Sequence, residues 1–310
     1  MLVMGEVHTV LLQNSGELPE SDCEKILALL AGERVRLSRR PVAHAVSPET
    51  LTGVDCRLPS ASRARVRGVG TVVTRCAVTG GRVAQASAYA RVTRAGVDRR
   101  LPWSHYLAVP GTIEVLGKAR EDDLAAGCVA ELPAEVLDLG AICGLRLDAV
   151  QSAPLLDRRA PFRASRTRLR WVAGTGDPSI HLTVHDERLR TLRLSHPEGF
   201  TAGVVDLCED LALHDWLLTA LLLTVGRARR DGAAGLHVPK LDVAIDHLLH
   251  LWMPAARLPD ALLPLWEALD RRAGLTRQWR SLVDRVRDQV AMNTLALLRT
   301  TADAGGEEND

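Results

Sequence analysis

VVDLCEDLALHDWLLTALLLTVGRARR, residues 204–230, decides how the rest of the chain must be arranged. From 216 to 225 it carries no charge and only two threonines. Leu207, Leu211, Leu218, Leu222 and Val225 repeat at helical spacing, while Leu213, Leu217 and Leu221 carry apolar surface onto other faces. A helix that is apolar nearly all round belongs in an interior. Its uncharged run is too short for a bilayer, which takes roughly 18 apolar residues or more. Asp206, Glu209 and Asp210 load the first turns and Arg227, Arg229 and Arg230 the last, complementing the helix dipole. Asp231-Gly232 supplies a left-handed stop. The spacing predicts the central core helix of a helical half.

Working outward, 310 residues suffice for two modest domains or one large one with a substantial core. Aromatic residues make up only 3% of the chain, so Leu, Val and Ala must fill that core. Lys occurs only at Lys25, Lys118 and Lys240, which with abundant Ala is the usage of a high-GC genome. An arginine here is therefore weaker evidence for bidentate recognition than it would be elsewhere. Six scattered cysteines with no CxxC point to buried thiols in a reducing cytosol rather than to bridges or a zinc site. The opening MLVMGEVHTVLLQ lacks a basic region followed by a signal-length apolar core. The expectation is a cytoplasmic chain without membrane insertion.

Alternation and turn residues predict a strand over 6–12, a helix over 19–30, a strand over 34–37 and an irregular stretch over 38–62. Residues 69–78 and 82–92 alternate around Gly80-Gly81 and predict a hairpin. A further strand pair is expected within 102–118, turning at Pro110-Gly111, then helices over 121–130 and 133–150. Strands over 167–173, 180–185 and 189–194 are expected to pair in succession through short turns. Helices follow over 239–253, 259–273 and 276–300, punctuated by Pro239, Pro254, Pro259 and Gly274. The fold class is α+β: a mostly antiparallel sheet with a few helices in the N-terminal half, then a helical C-terminal half. The boundaries are a sheet domain over 1–197, a helical domain over 198–302 packed against it, and a disordered acidic tail over 303–310.

Four phrases, SPETLTGVDCRLP (47–59), RVRGVGTVVTRCAVTGGRVAQASAYA (65–90), LPWSHYLAVPGTIEVLGK (101–118) and CEDLALHDWLLTALL (208–222), resemble a conserved-hypothetical protein family of actinomycetes, of Streptomyces type. Together they imply that source lineage. They also imply a neighbourhood shared with a P-loop protein and a methyltransferase-like protein, but no residue role.

Specific chemistry is sparse. GTIEVLGK (111–118) misses a phosphate-binding P-loop, being one residue too long, followed by Ala119 instead of Ser or Thr, and strand-like inside. Gly68-Val69-Gly70 lacks the third glycine of a dinucleotide fingerprint, and no GxSxG elbow exists. Asp242, Asp246 and His250 recur every four residues, with His247 at the border of their face, so a carboxylate and an imidazole could share a metal. The plain alternative is a solvated helix face. His214-Asp215 is the dipeptide of helical metal phosphohydrolases, for which His196 or Asp246 would have to supply further ligands. Adjacent helical residues diverge by about 100°, so one of the two can equally face away. His181 and His185 share one face of a strand, and Trp103-Ser104-His105-Tyr106 concentrates aromatics at a strand start. No cofactor is expected.

Charge is unevenly spread. Residues 34–100 hold fourteen arginines against three acids, a net +11, while 101–154 hold three basic and eight acidic residues, a net −5. Arg63, Arg65 and Arg67 alternate, as do Arg166, Arg168 and Arg170, so each set can project from one strand face and bind an anion. Tyr89 is the only aromatic in the basic segment, which speaks against single-strand stacking. Trp279, Val283, Val286, Val290, Asn293 and Leu297 step by four and three, the spacing of a coiled-coil seam, with Arg280, Asp284, Arg287 and Asp288 between them; the alternative is that this face packs within the chain against the central helix. The functional expectation is a non-enzymatic cytoplasmic binding or assembly component that meets a protein partner or a second copy of itself. The alternatives are an anion or nucleic-acid binder using the basic half, and a hydrolase or transferase with a His/Asp site in the C-terminal helices.

Overall fold

Strand β5 (Arg67–Thr79) and strand β6 (Val83–Arg94) form the hairpin that the alternation predicts. Gly80 and Gly81 at its tip both take positive φ, +56° and +57°, which glycine adopts without steric cost. The computed structural model describes residues 1–130, 135–197, 201–232 and 239–306. It builds one ten-stranded, mostly antiparallel sheet around this hairpin, with a helical C-terminal half on one face.

Strand β1 (Leu2–Leu11) runs down the middle, antiparallel to β6 on one side and to β8 (Thr167–Thr175) on the other. All ten of its residues are buried, with Leu2 and Met4 in one core and Val3, Val7 and Leu11 in the other. It begins four residues before the expected strand, because a strand covered on both faces reads as an apolar run rather than an alternation.

Two strands insert between neighbours that the sequence suggests are paired. Strand β7 (Thr112–Leu116) lies in the fork between the far ends of β5 and β6, antiparallel to the first and parallel to the second. A Cβ at Gly70 would lie 2.0 Å from the Thr112 carbonyl oxygen, so this approach requires glycine. Strand β10 (Leu189–His196) pairs parallel with β8 and antiparallel with β9 (Ser179–Val184). Strands β8 and β9, expected as a hairpin, are thus kept apart by β10. Alternation identifies which face of a strand is buried but not which strand lies beside it.

Residues 38–62, expected to be irregular, instead supply β3 (His44–Val46) and β4 (Thr50–Arg57), with β2 (Arg36–Ser38) beside β3. Apart from an isolated bridge between Arg57 and Val136, β4 pairs only with β5 among the described residues, so polar residues and Gly53 are tolerated along it. The first half of 102–118 is a short helix, α2 (Trp103–Leu107), entered through Pro102, where a strand was expected. Of its three large apolar residues only Tyr106 is buried, while Trp103 lies over Gly53 of the sheet.

One face of the sheet carries α1 (Glu20–Leu27), α3 (Glu121–Val129) and α4 (Leu139–Gln151). Helix α4 begins at residue 139 rather than 133, where the Asp138 carboxylate accepts from the Ala141 amide as an N-cap. The opposite face carries α5 (Thr201–Gly232), packed on β1, β6 and β8. Over it lie α6 (Pro239–Leu248), α7 (Leu263–Ala273) and α8 (Leu275–Gly306). Sheet on one side and helices on the other make α5 apolar nearly all round. Trp216 is fully buried and its Nε1 donates to the Ser165 carbonyl at 2.9 Å; Leu222, by contrast, is exposed. Helix α5 starts at Thr201, so Asp206, Glu209 and Asp210 fall beyond its first turn, past the reach of the dipole that was expected to hold them. Helix α8 continues through Gly306, four residues into the stretch expected as a disordered tail, and 307–310 lie outside the described residues. Among the described residues no helix is long and apolar enough to cross a membrane.

Candidate functional site

The arginine sets separate. Arg63 and Arg65 are exposed in the loop before β5, not on a strand. Arg67 gives Nε and Nη2 to Asp55 at 2.8 and 2.9 Å, and the same carboxylate accepts Arg100 Nε at 2.9 Å. Of the second set, Arg168 and Arg170 share one side of β8 as alternation requires and Arg166 lies just before the strand, but all three meet carboxylates of the protein itself. Arg166 reaches Asp148 at 2.6 Å, Arg168 donates to Glu6 at 2.7 Å, and Arg170 donates to Glu6 at 3.3 Å and to the Ala130 carbonyl at 2.6 Å. Glu6 is almost wholly buried. Burial alone would raise its pKa, yet the His8 hydrogen bond and the charges of His8 and Arg168 outweigh that and hold it at about 2.

The histidine pairs come apart similarly. His214 Nε2 accepts the Met253 amide at 3.2 Å, which leaves the proton on Nδ1 to bond the Asp210 carbonyl at 2.7 Å. Its ring packs edge-on against Trp252 and Trp266. Asp215 points the other way, to Arg190 Nε of β10 at 2.6 Å. The roughly 100° step between neighbours thus sends one to the outer helices and the other to the sheet. Asp246 is exposed on α6, and His250 lies in the 3-10 turn Leu249–Leu251 beyond its end. The side chain of Asp242 lies outside the described residues. His181 is exposed on β9, and His185, past its end, bonds Thr191 Oγ1 at 2.9 Å. Among the described residues no group of three or more His, Cys, Asp or Glu side chains is arranged to hold a metal ion. Residues 111–118 are strand β7 and its flanks, so no phosphate-cradling nest forms there.

The most charged interior site lies between β5, β6 and the first half of α5. Gln85, Ser87 and Tyr89 alternate along β6, so all three face α5, while Ala84, Ala86, Ala88 and Ala90 face α4. Arg75, opposite Ser87, donates Nε and Nη2 to Glu209, each at 2.8 Å, and Nη2 also to Asp206 at 2.5 Å. Ser87 Oγ donates to Glu209 Oε1, and Gln85 Nε2 to the Glu209 carbonyl at 2.9 Å. Glu209 is desolvated, yet the charge and hydrogen bonds of Arg75, joined by Ser87, hold its carboxyl below the ordinary range. Burial raises the neighbouring Asp206 despite Arg75.

Beside this network is a cavity of about 210 Å³, lined among others by Arg36, His44, Asp206, Asp210 and Arg257. Burial, then Arg257, pushes His44 down to about 3, so its imidazole is neutral, with Nδ1 against Thr79 Oγ1 at 3.0 Å. Asp210 is 3% exposed; Oδ2 accepts the Ala255 amide at 2.8 Å, but Oδ1 has no hydrogen bond. Arg257 Nη2 stands 3.8 Å from that oxygen, beyond hydrogen-bonding range. Sequence reasoning missed this site. One signal was available: acids at 209 and 210 in a helix that is apolar nearly all round require partners, and the only basic side chain in the middle of β5 is Arg75.

The seam of α8 divides in two. Trp279 and Val286 are buried, Val283 is partly buried, and Trp279 stacks on Trp252 with ring centroids 4.2 Å apart. Val290 is 37% exposed; Met292 and Leu295, 65% and 51% exposed, lie on the opposite face of the same segment. The side chains of Asn293 and Leu297 lie outside the described residues. No protein-family model, curated protein or solved structure matches the chain.

Proposed function

We propose that the chain is a non-enzymatic binding or assembly component and that the distal half of α8 is its contact, in the first instance with a second copy. One observation carries this: the seam that buries Trp279 and Val286 runs on along the same helix into Val290, which is 37% exposed, and on the opposite face of the same segment Met292 and Leu295 expose apolar surface as well. A 32-residue helix is about 48 Å long, far more than its anchored first three turns need. Large apolar side chains exposed together on one helical segment mark an interaction surface, and two-fold pairing is the commonest form of self-association. The buried titratable groups support a binding role over a catalytic one. Glu6, Arg75, Glu209, Arg190 and Asp215 are each engaged by an internal partner. Six unpaired cysteines, five of them buried, fit a cytoplasmic chain.

The test is light scattering on the full chain across a concentration series. The wild type is expected to dimerise, and Val290→Asp with Leu295→Asp to give a folded monomer. A wild type that stays monomeric throughout would overturn self-association, as would a double variant that still dimerises.

A further inference from the structure

We propose that the cavity between β2, β3 and α5 binds a small zwitterion of the amino-acid class, its carboxylate between Arg36 and Arg257 and its ammonium on Asp206 and Asp210. This site is separate from the α8 contact, and neither claim depends on the other.

The argument begins with which charges are already used. Arg75 spends its guanidinium on Glu209 and on one oxygen of Asp206, and Glu209 is further occupied by Ser87. Two guanidiniums remain. Arg36 makes no ion pair or hydrogen bond among the described residues, and Arg257 has only its 3.8 Å approach to Asp210. Two carboxylate oxygens also remain: among the described residues neither Oδ2 of half-exposed Asp206 nor Oδ1 of buried Asp210 has a hydrogen bond. An orphaned buried oxygen is costly unless something satisfies it. Arg36 and Arg257 line the cavity with Asp206, Glu209 and Asp210, and Arg75 behind it pairs with Glu209, so the site with its supporting ion pair is formally neutral and a ligand of no net charge adds no uncompensated charge.

The geometry suits an exchange of partners. Asp210 Oδ1 is shut off from solvent while Arg257 stands near it. A ligand carboxylate draws Arg257 toward Arg36 and uncovers Oδ1 for an ammonium donor. One loose internal pair is thereby replaced by two charge-assisted ones, the stronger class of hydrogen bond. Neutral His44 and the Gln85 amide line the same space and add dipoles without charge. At about 210 Å³ the cavity falls below the ~300 Å³ at which drug-sized sites begin, which sets the ligand at metabolite size.

The experiment is isothermal titration calorimetry of the full chain with each standard L-amino acid at millimolar concentration. For every binder, the carboxylic acid lacking the amine and the amine lacking the carboxylate are titrated as well. At least one amino acid should give saturable heat, and each truncated analogue should bind roughly tenfold more weakly or worse. Arg36→Gln, at an exposed position with no hydrogen bond or ion pair among the described residues, should weaken binding by a similar factor while the melting temperature stays nearly unchanged. Asp210→Asn should do the same; if that variant does not fold, the analogue lacking the amine tests the same contact on wild-type protein. Saturable heat from none of the amino acids overturns the proposal. So does equal affinity for the analogue lacking the amine, or full affinity in Arg36→Gln.

Discussion

The guanidinium of Arg75 on β5 and the carboxylate of Glu209 on α5 meet in two parallel hydrogen bonds of 2.8 Å, tying the sheet to its central helix in the protein interior. Both side chains are nearly inaccessible, and Ser87 and Gln85 fix the same turn of helix from β6. Removing one charge strands the other. Glu209→Gln should therefore cost about 3–5 kcal/mol in denaturant melts, the usual range for breaking a buried pair. A loss below about 1 kcal/mol would show that water reaches the pair.

Acid should unfold the protein in two overlapping steps. His44 has a folded pKa of about 3 against an ordinary 6.5, because burial and Arg257 disfavour its charged form. Only the unfolded chain takes up that proton between the two values, so stability is complete above pH 6.5 and falls as the pH drops toward 3. Glu6 is held at about 2 against 4.5; its contribution is present above 4.5 and disappears as the pH falls through 2. His44→Gln should flatten the first part of the stability profile and Glu6→Gln the second. Urea melts across pH 2–7 decide it: slopes unchanged in both variants would refute these assignments.

Along α8 the same substitution should have opposite consequences one turn apart. Val286 is 4% exposed, so Val286→Asp places an unpaired charge in the core and should unfold the helical half. Val290 is 37% exposed, and Val290→Asp should change stability by less than about 0.5 kcal/mol. Circular dichroism melts compare the two directly. Equal losses would mean that the seam is buried throughout.

Gly70→Ala is expected to dislodge β7 from the fork of the hairpin. Its methyl would fall 2.0 Å from the Thr112 carbonyl oxygen and 2.7 Å from Ile113 Cα, both backbone atoms that cannot rotate away. Overpacking of this kind costs about 1–3 kcal/mol or more. Hydrogen exchange should show faster exchange at 112–116 than at 83–90; protection identical to wild type would refute the close approach.

Periodicity by itself determined the α+β class, the Gly80-Gly81 hairpin and the burial of most of 204–225, Leu222 excepted. Each rests on a local pattern: alternation around a glycine turn, or apolar residues on every face of one helix. It also located the outer helices to within a few residues, because Pro239, Pro259 and Gly274 punctuate them chemically. Tertiary structure decided the rest. Strands β7 and β10 insert between neighbours in sequence, and pairing partners depend on long-range geometry that alternation does not encode. The His214-Asp215 dipeptide and the Arg166–Arg168–Arg170 row look like chemistry in one dimension. In three dimensions Arg190, Glu6 and Asp148 engage most of these charges. The candidate cavity was the least legible feature. Arg36, His44, Asp206, Asp210 and Arg257 come from four separated segments, and nothing in their spacing foretells that the sheet edge and the first half of α5 close on one another. A one-dimensional pattern fixes which side of an element is buried; only packing fixes what it is buried against.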